Sequence, residues 1–211
     1  MRFYIPKTLQ SDFSSSLEAL GTTAIINFDP LNTTKIRLDK VNYTTKNSVV
    51  SSDEVAFAEL SSNLKMGDYL QYKNEVLLIN QLVSNEFPQC YEISSGTCNT
   101  KFDVTRFQTA TYDDFGNVLT EEGNNPITKD LYCLTVMGGF EFRTHTGGIG
   151  IVPSNDIKSS CQFNADTMLI AIGDKFTVFN KQYEVVNLDW SQKDLEGDYG
   201  ILMFDGKKVI S

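Results

Sequence analysis

Residues 67–80 read GDYLQYKNEVLLIN, and residues 173–187 repeat the same plan as GDKFTVFNKQYEVVN, 106 positions later. Each stretch opens with Gly-Asp, continues as a short alternating strand, turns at Asn and Lys, and returns as an apolar strand that ends in Asn. Glycine tolerates positive φ, and an Asp carboxylate at a turn accepts hydrogen bonds from backbone N–H groups two residues on. A repeat at half the chain length therefore predicts two related β modules, with Gly67, Asp68, Gly173 and Asp174 in structural roles.

Both modules are expected to continue as three-stranded meanders. The third strand is CYEIS (90–94) in the first module and YGILMF (199–204) in the second, where GKKVIS (206–211) is expected to add a short closing strand. Eleven residues separate the final Asn from the Tyr of the third strand in the first module, and twelve in the second. This similar spacing predicts loops of matched length.

The N-terminal third combines short helices with strands. Residues 1–20 have the apolar spacing of an amphipathic helix, capped by Ser11 or Ser14 and ended by Gly21, which either covers the local core or docks on a neighbouring subunit. Strands TTAIINF (22–28) and KIRLDKVNY (35–43) are predicted to be joined by a turn at DPLNTT (29–34). The pattern then favours an exposed loop over 44–53 and a second helix over 53–64. The apolar positions of the first helix are Leu9, Phe13, Leu17 and Leu20.

Residues 100–160 are expected to be a strand-rich insert between the modules. Phe102, Val104 and Phe107 indicate a strand, and DDFGNVLTEEGNNP (113–126) indicates a long polar hairpin tip. The glycine pairs at 138–139 and 147–148 are typical of bulges or tight bends. The predicted fold is mainly β, with two related antiparallel meander or barrel-like modules and one or two short N-terminal helices. The predicted divisions are 1–99, 100–160 and 161–211.

Composition limits the partners that the chain can bind. The 211 residues carry a net charge of -9, and the only basic run is the pair Lys207-Lys208, which is predicted to lie in a hairpin turn. Nucleic-acid affinity requires clustered Lys and Arg, so neither duplex nor sequence-specific nucleic-acid binding is expected. The acidic balance also argues against an anionic membrane surface. It is compatible with a soluble surface or a basic protein partner.

The cysteines and the N-terminus predict a protein made in a reducing cytoplasm. The four cysteines form no C-x-x-C pair and have no His at metal-ligand spacing. No apolar core of a secretory signal opens the chain, and no apolar run approaches the ~20 residues that span a bilayer. Free thiols are expected, with a Cys90–Cys98 disulfide as the alternative in an oxidising medium. The cysteines are Cys90, Cys98, Cys133 and Cys161.

Each candidate for chemistry has a simpler structural interpretation. THTGGIG (144–150) holds the only histidine, His145, but the following IVPSND disfavours the helix that a phosphate cradle needs, so a glycine hairpin is favoured. The acidic pairs Asp113-Asp114 and Glu121-Glu122 fit a solvated loop better than a calcium site. A sugar platform at Trp190 has one tryptophan to support it. No catalytic, cofactor-binding or metal residue is assigned, no cofactor is expected, and the chain is predicted not to be an enzyme.

Around the first repeat the sequence resembles small neck proteins of tailed bacteriophages, of the head–tail connector or head-closure type. The resemblance covers about 45 of the 211 residues, and the second repeat matches it loosely. It lies in a K-x-G-D-x-x-x-Y-x-x-x-x-x-L-I run and a later C-N pair. The matching residues are Lys65, Gly67, Asp68, Tyr72, Leu78, Ile79, Cys98 and Asn99.

The resemblance implies a non-enzymatic virion protein that is made in the host bacterial cytoplasm and forms part of the neck as an oligomeric ring. Its partners would be copies of itself and the portal or connector and tail proteins, with no membrane. Loops such as 111–130 would be contact arms, and either Phe102–Phe107 or the strands near 138–150 would pair with a neighbouring chain. The alternative is a tail, baseplate or fibre-associated β-rich module that recognises protein or carbohydrate.

Overall fold

The computed structural model describes residues 7–39, 53–86, 89–137, 140–145, 148–153, 156–194 and 199–209. The chain divides into a first unit, residues 1–98, and a second unit, residues 99–211. Each unit contains one closed barrel of six strands, and the paired strands are antiparallel. The predicted mainly-β fold with two related barrel-like modules and a short N-terminal helix is confirmed.

The first barrel follows one helix. Around the barrel the strands run β1-β2-β3-β6-β5-β4, and β4 pairs with β1 to close it. A 3₁₀ helix, Leu60–Ser62, precedes β4. The elements are α1 (Lys7–Leu20), β1 (Thr22–Ile26), β2 (Asp29–Asp39), β3 (Asp53–Glu59), β4 (Tyr69–Tyr72), β5 (Glu75–Glu86) and β6 (Gln89–Thr97).

The second barrel has the same strand order, and two hairpins lie outside it. Its order is β7-β10-β13-β16-β15-β14, and β14 pairs with β7 to close it. Hairpins β8–β9 and β11–β12 each form a separate two-stranded sheet. The strands are β7 (Thr100–Gln108), β8 (Thr111–Tyr112), β9 (Val118–Thr120), β10 (Gly123–Met137), β11 (Phe140–His145), β12 (Gly148–Pro153), β13 (Ile157–Phe163), β14 (Lys175–Val178), β15 (Lys181–Lys193) and β16 (Gly200–Lys208).

The repeated Gly-Asp corners have the same backbone structure. Gly67 has φ 89° and Gly173 has φ 94°. The Gly67 N–H donates to the Ile79 carbonyl at 2.9 Å, and the Gly173 N–H donates to the Val185 carbonyl at 2.8 Å. The ladder then shifts register directly after Ile79 and directly after Val185. The repeat seen in the sequence therefore extends to individual hydrogen bonds and to a β-bulge.

Residues 100–163 supply the strands that make the second barrel equivalent to the first. In the order of the barrels, β7, β10 and β13 take the places of β1, β2 and β3. Along β13 the inward positions alternate regularly, and its buried residues are Ile157, Ser159, Cys161 and Phe163. Phe102 and Val104 of β7 point into the same core, as their spacing predicted.

The first predicted helix is confirmed over Lys7–Leu20, but its predicted caps are wrong. Ser11 and Ser14 lie inside the helix. Gly21 follows the last turn, and its N–H donates to the Leu17 carbonyl at 2.7 Å. Leu17 is buried, and Glu18 forms an ion pair with Lys35 of β2, so this helix covers its own barrel.

The second predicted helix, over 53–64, is wrong. Residues 53–59 form β3, and only Leu60–Ser62 turn, as a 3₁₀ helix. Ala56 and Ala58 are the inward residues and are 0% exposed. Because alanine is small and a strong helix former, the period-two signal of this strand was hidden.

Three predicted turns and loops also lie elsewhere. The first hairpin turns at Asn27-Phe28, with φ 51° and 61°, so residues 29–34 belong to β2. Lys207-Lys208 end β16 opposite Glu184 and Tyr183 rather than forming a turn before a separate strand. Ile93 beside β3 and Phe204 beside β13 occupy equivalent positions but lie 111 residues apart, whereas the repeat before these loops is offset by 106 residues. The loops before the third strands therefore differ in length. The loop predicted over 44–53 lies almost wholly outside the described residues.

Gly173→Ala should destabilise the protein through backbone strain alone. A Cβ at Gly173 meets nothing within 4 Å, but φ is +94°. We expect a loss of about 1–2 kcal/mol in the free energy of unfolding, measured by urea titration. Gly123→Ala is the matched control, since that Cβ also meets nothing within 4 Å and no positive φ opposes it. Equal effects of the two substitutions would contradict the strain argument.

Candidate interaction site on the second barrel

Among the side chains that the structure describes, those weighed for chemistry in the sequence do not converge on a site. In the described ranges, no group of three or more His, Cys, Asp or Glu side chains is placed to hold a metal. His145 ends β11 opposite Gly148, so the THTGGIG stretch is a hairpin as predicted. None of the four cysteines forms a disulfide. Within the same described ranges, the helices are too short or too polar to cross a membrane.

Two hairpins extend from the second barrel. The link between β1 and β2 is the two residues Asn27 and Phe28, whereas the equivalent link between β7 and β10 is residues 109–122, which we call the arm. A second hairpin, β11–β12, lies between β10 and β13. Because neighbouring strands are antiparallel, these links leave β10 at its opposite ends. The second barrel therefore carries a hairpin at each end.

The arm is an ordered hairpin that contributes nothing to the core. None of residues 109–122 is buried. Thr111 pairs with Thr120, and Tyr112 pairs with Val118. From its base to its tip such a hairpin spans about 20 Å at the usual strand rise. Its tip presents Phe115, whose side chain is 91% exposed.

The tip is braced by Asp113. The Asp113 carboxylate accepts hydrogen bonds from the Phe115 N–H at 2.9 Å, the Asn117 N–H at 2.7 Å and the Asn117 side-chain amide at 2.8 Å. Gly116 supplies the positive φ, 81°, that closes the turn. The Asn117 side chain is the largest influence lowering the pKa of Asp113. The Asp113-Asp114 pair is thus a turn in which the first carboxylate supports an exposed aromatic ring.

A second apolar surface lies at the same end of the barrel. The loop between β13 and β14 leaves Met168, Leu169 and Ile172 exposed. Thr167 anchors this loop, since it is buried and its hydroxyl donates to the Gln162 carbonyl at 2.9 Å. The loop is therefore ordered and still presents three large apolar side chains to solvent.

Arg106 ties this loop to the end of β7. Its Nε donates to Asp174 Oδ1 at 2.7 Å, and its Nη2 donates to Asp174 Oδ2 at 3.0 Å and to the Leu169 carbonyl at 2.8 Å. Asp174 is 1% exposed, and the Ala171 N–H also donates to it at 2.8 Å. The bond to Asp174 raises the pKa of Arg106. The carboxylate binds the N–H three residues before it, rather than two residues on as the sequence predicted.

In the first barrel the equivalent corner forms without a cluster of exposed large apolar side chains. Asp68 accepts from the Lys65 N–H and from the Asn27 side-chain amide, both at 2.8 Å. One full repeat before Met168 and Leu169 stand the polar residues Ser62 and Asn63. Among described residues, four exposed large apolar side chains belong to the first unit and thirteen to the second. The fold does not require this apolar surface, which is typical of an interaction site.

Strand addition at Phe102–Phe107 does not fit the barrel. β7 pairs with β10 on one side and with β14 on the other, so a new strand would have to displace one of them. Phe107 is exposed rather than part of the core. The other predicted location, near 138–150, falls on the two-stranded β11–β12 sheet, which lies outside the closed barrel.

Sequence comparison matches the second unit to a known family. The YomX C-terminal domain matches residues 98–207, slightly more than half of the chain. No curated protein matches. A solved structure of MrkH from K. pneumonia aligns at 6% identity, over 99% of this chain and 89% of that chain, with a TM-score of 0.20. A likeness that low carries no argument about fold or function.

Asp174→Ala should destabilise the second barrel more than loss of a surface carboxylate. The substitution removes the buried acceptor of Arg106 and of the Ala171 N–H. We expect a loss of about 2–3 kcal/mol in the free energy of unfolding. Asp205→Ala is the control, because Asp205 lies 4.0 Å from exposed Lys158 and should cost less than about 1 kcal/mol. Denaturant titration measures both, and a smaller loss for Asp174→Ala than for Asp205→Ala would contradict this role.

The order of the arm tip should depend on pH through Asp113. Its pKa is lowered in the folded hairpin, so its stabilisation is present above the unfolded pKa, about 3.9, and is lost as pH falls through the lower folded value. We expect the amide resonances of Phe115 and Asn117 to move toward random-coil shifts below about pH 4. Asp114→Asn should leave this NMR titration unchanged. Asp113→Ala should give disordered-tip shifts at neutral pH, and persistence of the native shifts would contradict the brace.

Proposed function

We propose a virion role for this chain, which belongs to the YomX C-terminal domain family and is therefore a phage-related protein. It is a non-enzymatic structural protein that forms part of the head-to-tail connection, the neck, as an oligomeric ring. It works by holding other polypeptides: copies of itself, and the portal or connector and tail proteins. It acts at neither a membrane nor a specific nucleic-acid sequence.

The observation that carries the proposal is the pair of hairpins at opposite ends of the second barrel. Identical subunits close into a ring only through heterologous contacts, in which one surface of each copy meets a different surface of the next. A barrel with different hairpins at its two ends supplies two such surfaces. The braced tip at Asp113 and Phe115 also reduces the entropy lost when the arm is held by a partner.

Exposed apolar side chains support the same function. Phe115, Met168 and Ile172 lie on ordered segments at the arm end of the barrel. Large apolar side chains held in solvent are commonly completed by another protein surface. The family match covers the unit that carries them, residues 98–207.

A tail, baseplate or fibre-associated binding module is the second candidate. Trp190 is 39% exposed, which gives one aromatic ring of the kind that sugars stack on. Rings of about six or twelve copies favour the neck protein, and trimers favour the fibre or baseplate module. Retention on cell-wall glycan would also favour the second candidate.

Phe115→Ser should weaken assembly without unfolding the chain. The residue is 91% exposed, so its loss should change the free energy of unfolding by less than about 0.5 kcal/mol. We expect a clear shift toward monomer in light scattering coupled to size-exclusion chromatography. Leu31→Ser is the matched control, because Leu31 is 95% exposed on the first barrel. A wild-type chain that stays monomeric at all concentrations would overturn the ring proposal.

A further inference from the structure

We propose that the acidic arm of one copy docks on the lysine-bearing opposite end of the second barrel of another copy, so that copies associate head to tail. This inference rests on the proposed function and names the partner surface of the arm. The two surfaces are complementary in charge, and each includes an exposed phenylalanine in a tight turn.

All the charged residues of the arm are acidic. Residues 109–122 contain Asp113, Asp114, Glu121 and Glu122 and no Lys or Arg. Asp113 is engaged in bracing the tip, whereas Asp114 is exposed directly beside Phe115. A partner for this arm therefore needs basic groups beside an apolar contact.

The opposite end of the second barrel has that combination. The β14–β15 turn presents Phe179, 54% exposed with φ 50°, and Lys181 follows two residues later. The last residues of β16, Lys207 and Lys208, pair with Glu184 and Tyr183 of the adjacent β15. Three lysines thus lie on neighbouring strand ends around one exposed ring. Two carboxylates lie at the same end: Glu184, which pairs with Lys207, and Asp156, which directly precedes β13.

The lysines are not needed to build this part of the barrel. In the first barrel the equivalent turn has Lys73 and Glu75 where the second has Phe179 and Lys181. The equivalents of Lys207 and Lys208 there are Gly96 and Thr97, which pair with Leu78 and Leu77 of β5. The same backbone therefore forms without the lysine cluster. The cluster distinguishes the second barrel from the first as a partner for the acidic arm.

Topology makes the contact head to tail. The arm leaves the barrel where β7 ends, whereas Phe179, Lys181 and the end of β16 lie where β7 begins, because β14 is antiparallel to β7 and β16 to β15. An arm of about 20 Å reaches beyond its own barrel end. One copy therefore offers its arm at one end and its lysines at the other, which is the arrangement of a heterologous ring contact.

Charge reversal on each surface tests the contact. The arm variant is Asp114→Lys/Glu121→Lys/Glu122→Lys, and the lysine variant is Lys181→Glu/Lys207→Glu/Lys208→Glu. Each alone should weaken self-association at least roughly tenfold, measured by sedimentation velocity at low salt. Mixing the two variants should restore association, since each reversed arm then meets a reversed lysine surface. Combining all six substitutions in one chain should restore it as well.

Matched controls separate docking from misfolding and from the wider proposal. Lys73→Glu alters the equivalent turn of the first barrel and should leave association unchanged. Rescue by mixing shows that both variants are folded, and circular dichroism checks each variant alone. If the wild-type chain forms oligomers that neither reversal weakens, or if mixing fails to restore association, the docking assignment is wrong and the ring proposal stands. A monomeric wild-type chain overturns both.

Discussion

Closure of each barrel depends on a buried aspartate that follows a glycine in the left-handed region. Asp68 and Asp174 are almost fully buried, and each accepts the N–H three residues before it while its own backbone carbonyl accepts a strand hydrogen bond. A buried carboxylate is tolerable only when its acceptor sites are filled. The corner, the two-residue turn after the fourth strand and the bulge in the fifth are the features that repeat most faithfully.

The two barrels satisfy the remaining carboxylate oxygen differently, and the difference accompanies the arm and the exposed apolar loop of the second barrel. In the first barrel the donor is the neutral side-chain amide of Asn27, which lies in the tight turn between β1 and β2. In the second barrel that turn is replaced by the arm, and Arg106 reaches Asp174 from the end of β7 instead. The guanidinium has donors to spare and fixes the Leu169 carbonyl as well. The Arg106 guanidinium, which takes the place of the Asn27 amide as donor, thus accommodates the arm and orders the apolar loop beside it.

The sequence was informative where backbone geometry restricts the residue type, and uninformative where only size matters. The Gly-Asp corners need glycine and an acceptor, so they repeat visibly. Two inward positions of β3 and β13 need only be small: Ala56 and Ala58 lie where Ser159 and Cys161 lie in the second barrel. Side chains of similar small size can belong to different residue types, so the sequences of these strands do not match. For this reason residues 100–160 were interpreted as an insert and residues 53–59 as part of a helix. The apolar surface at Met168 was missed because periodicity marks hydrophobic residues without showing which of them the fold buries.

In this chain the residues that stabilise the barrels differ from the residues that are exposed for contact. The closed barrels leave no edge strand, so in the proposed ring the contacts between subunits come from the segments added to the barrels. The additions are not loose loops: Asp113 holds the arm tip, and Thr167 and Arg106 hold the apolar loop. A subunit of a large assembly loses translational and rotational freedom on joining, and ordering its contact segments beforehand reduces the further entropy lost. The structure therefore places rigid, exposed groups on a barrel whose folding does not depend on them.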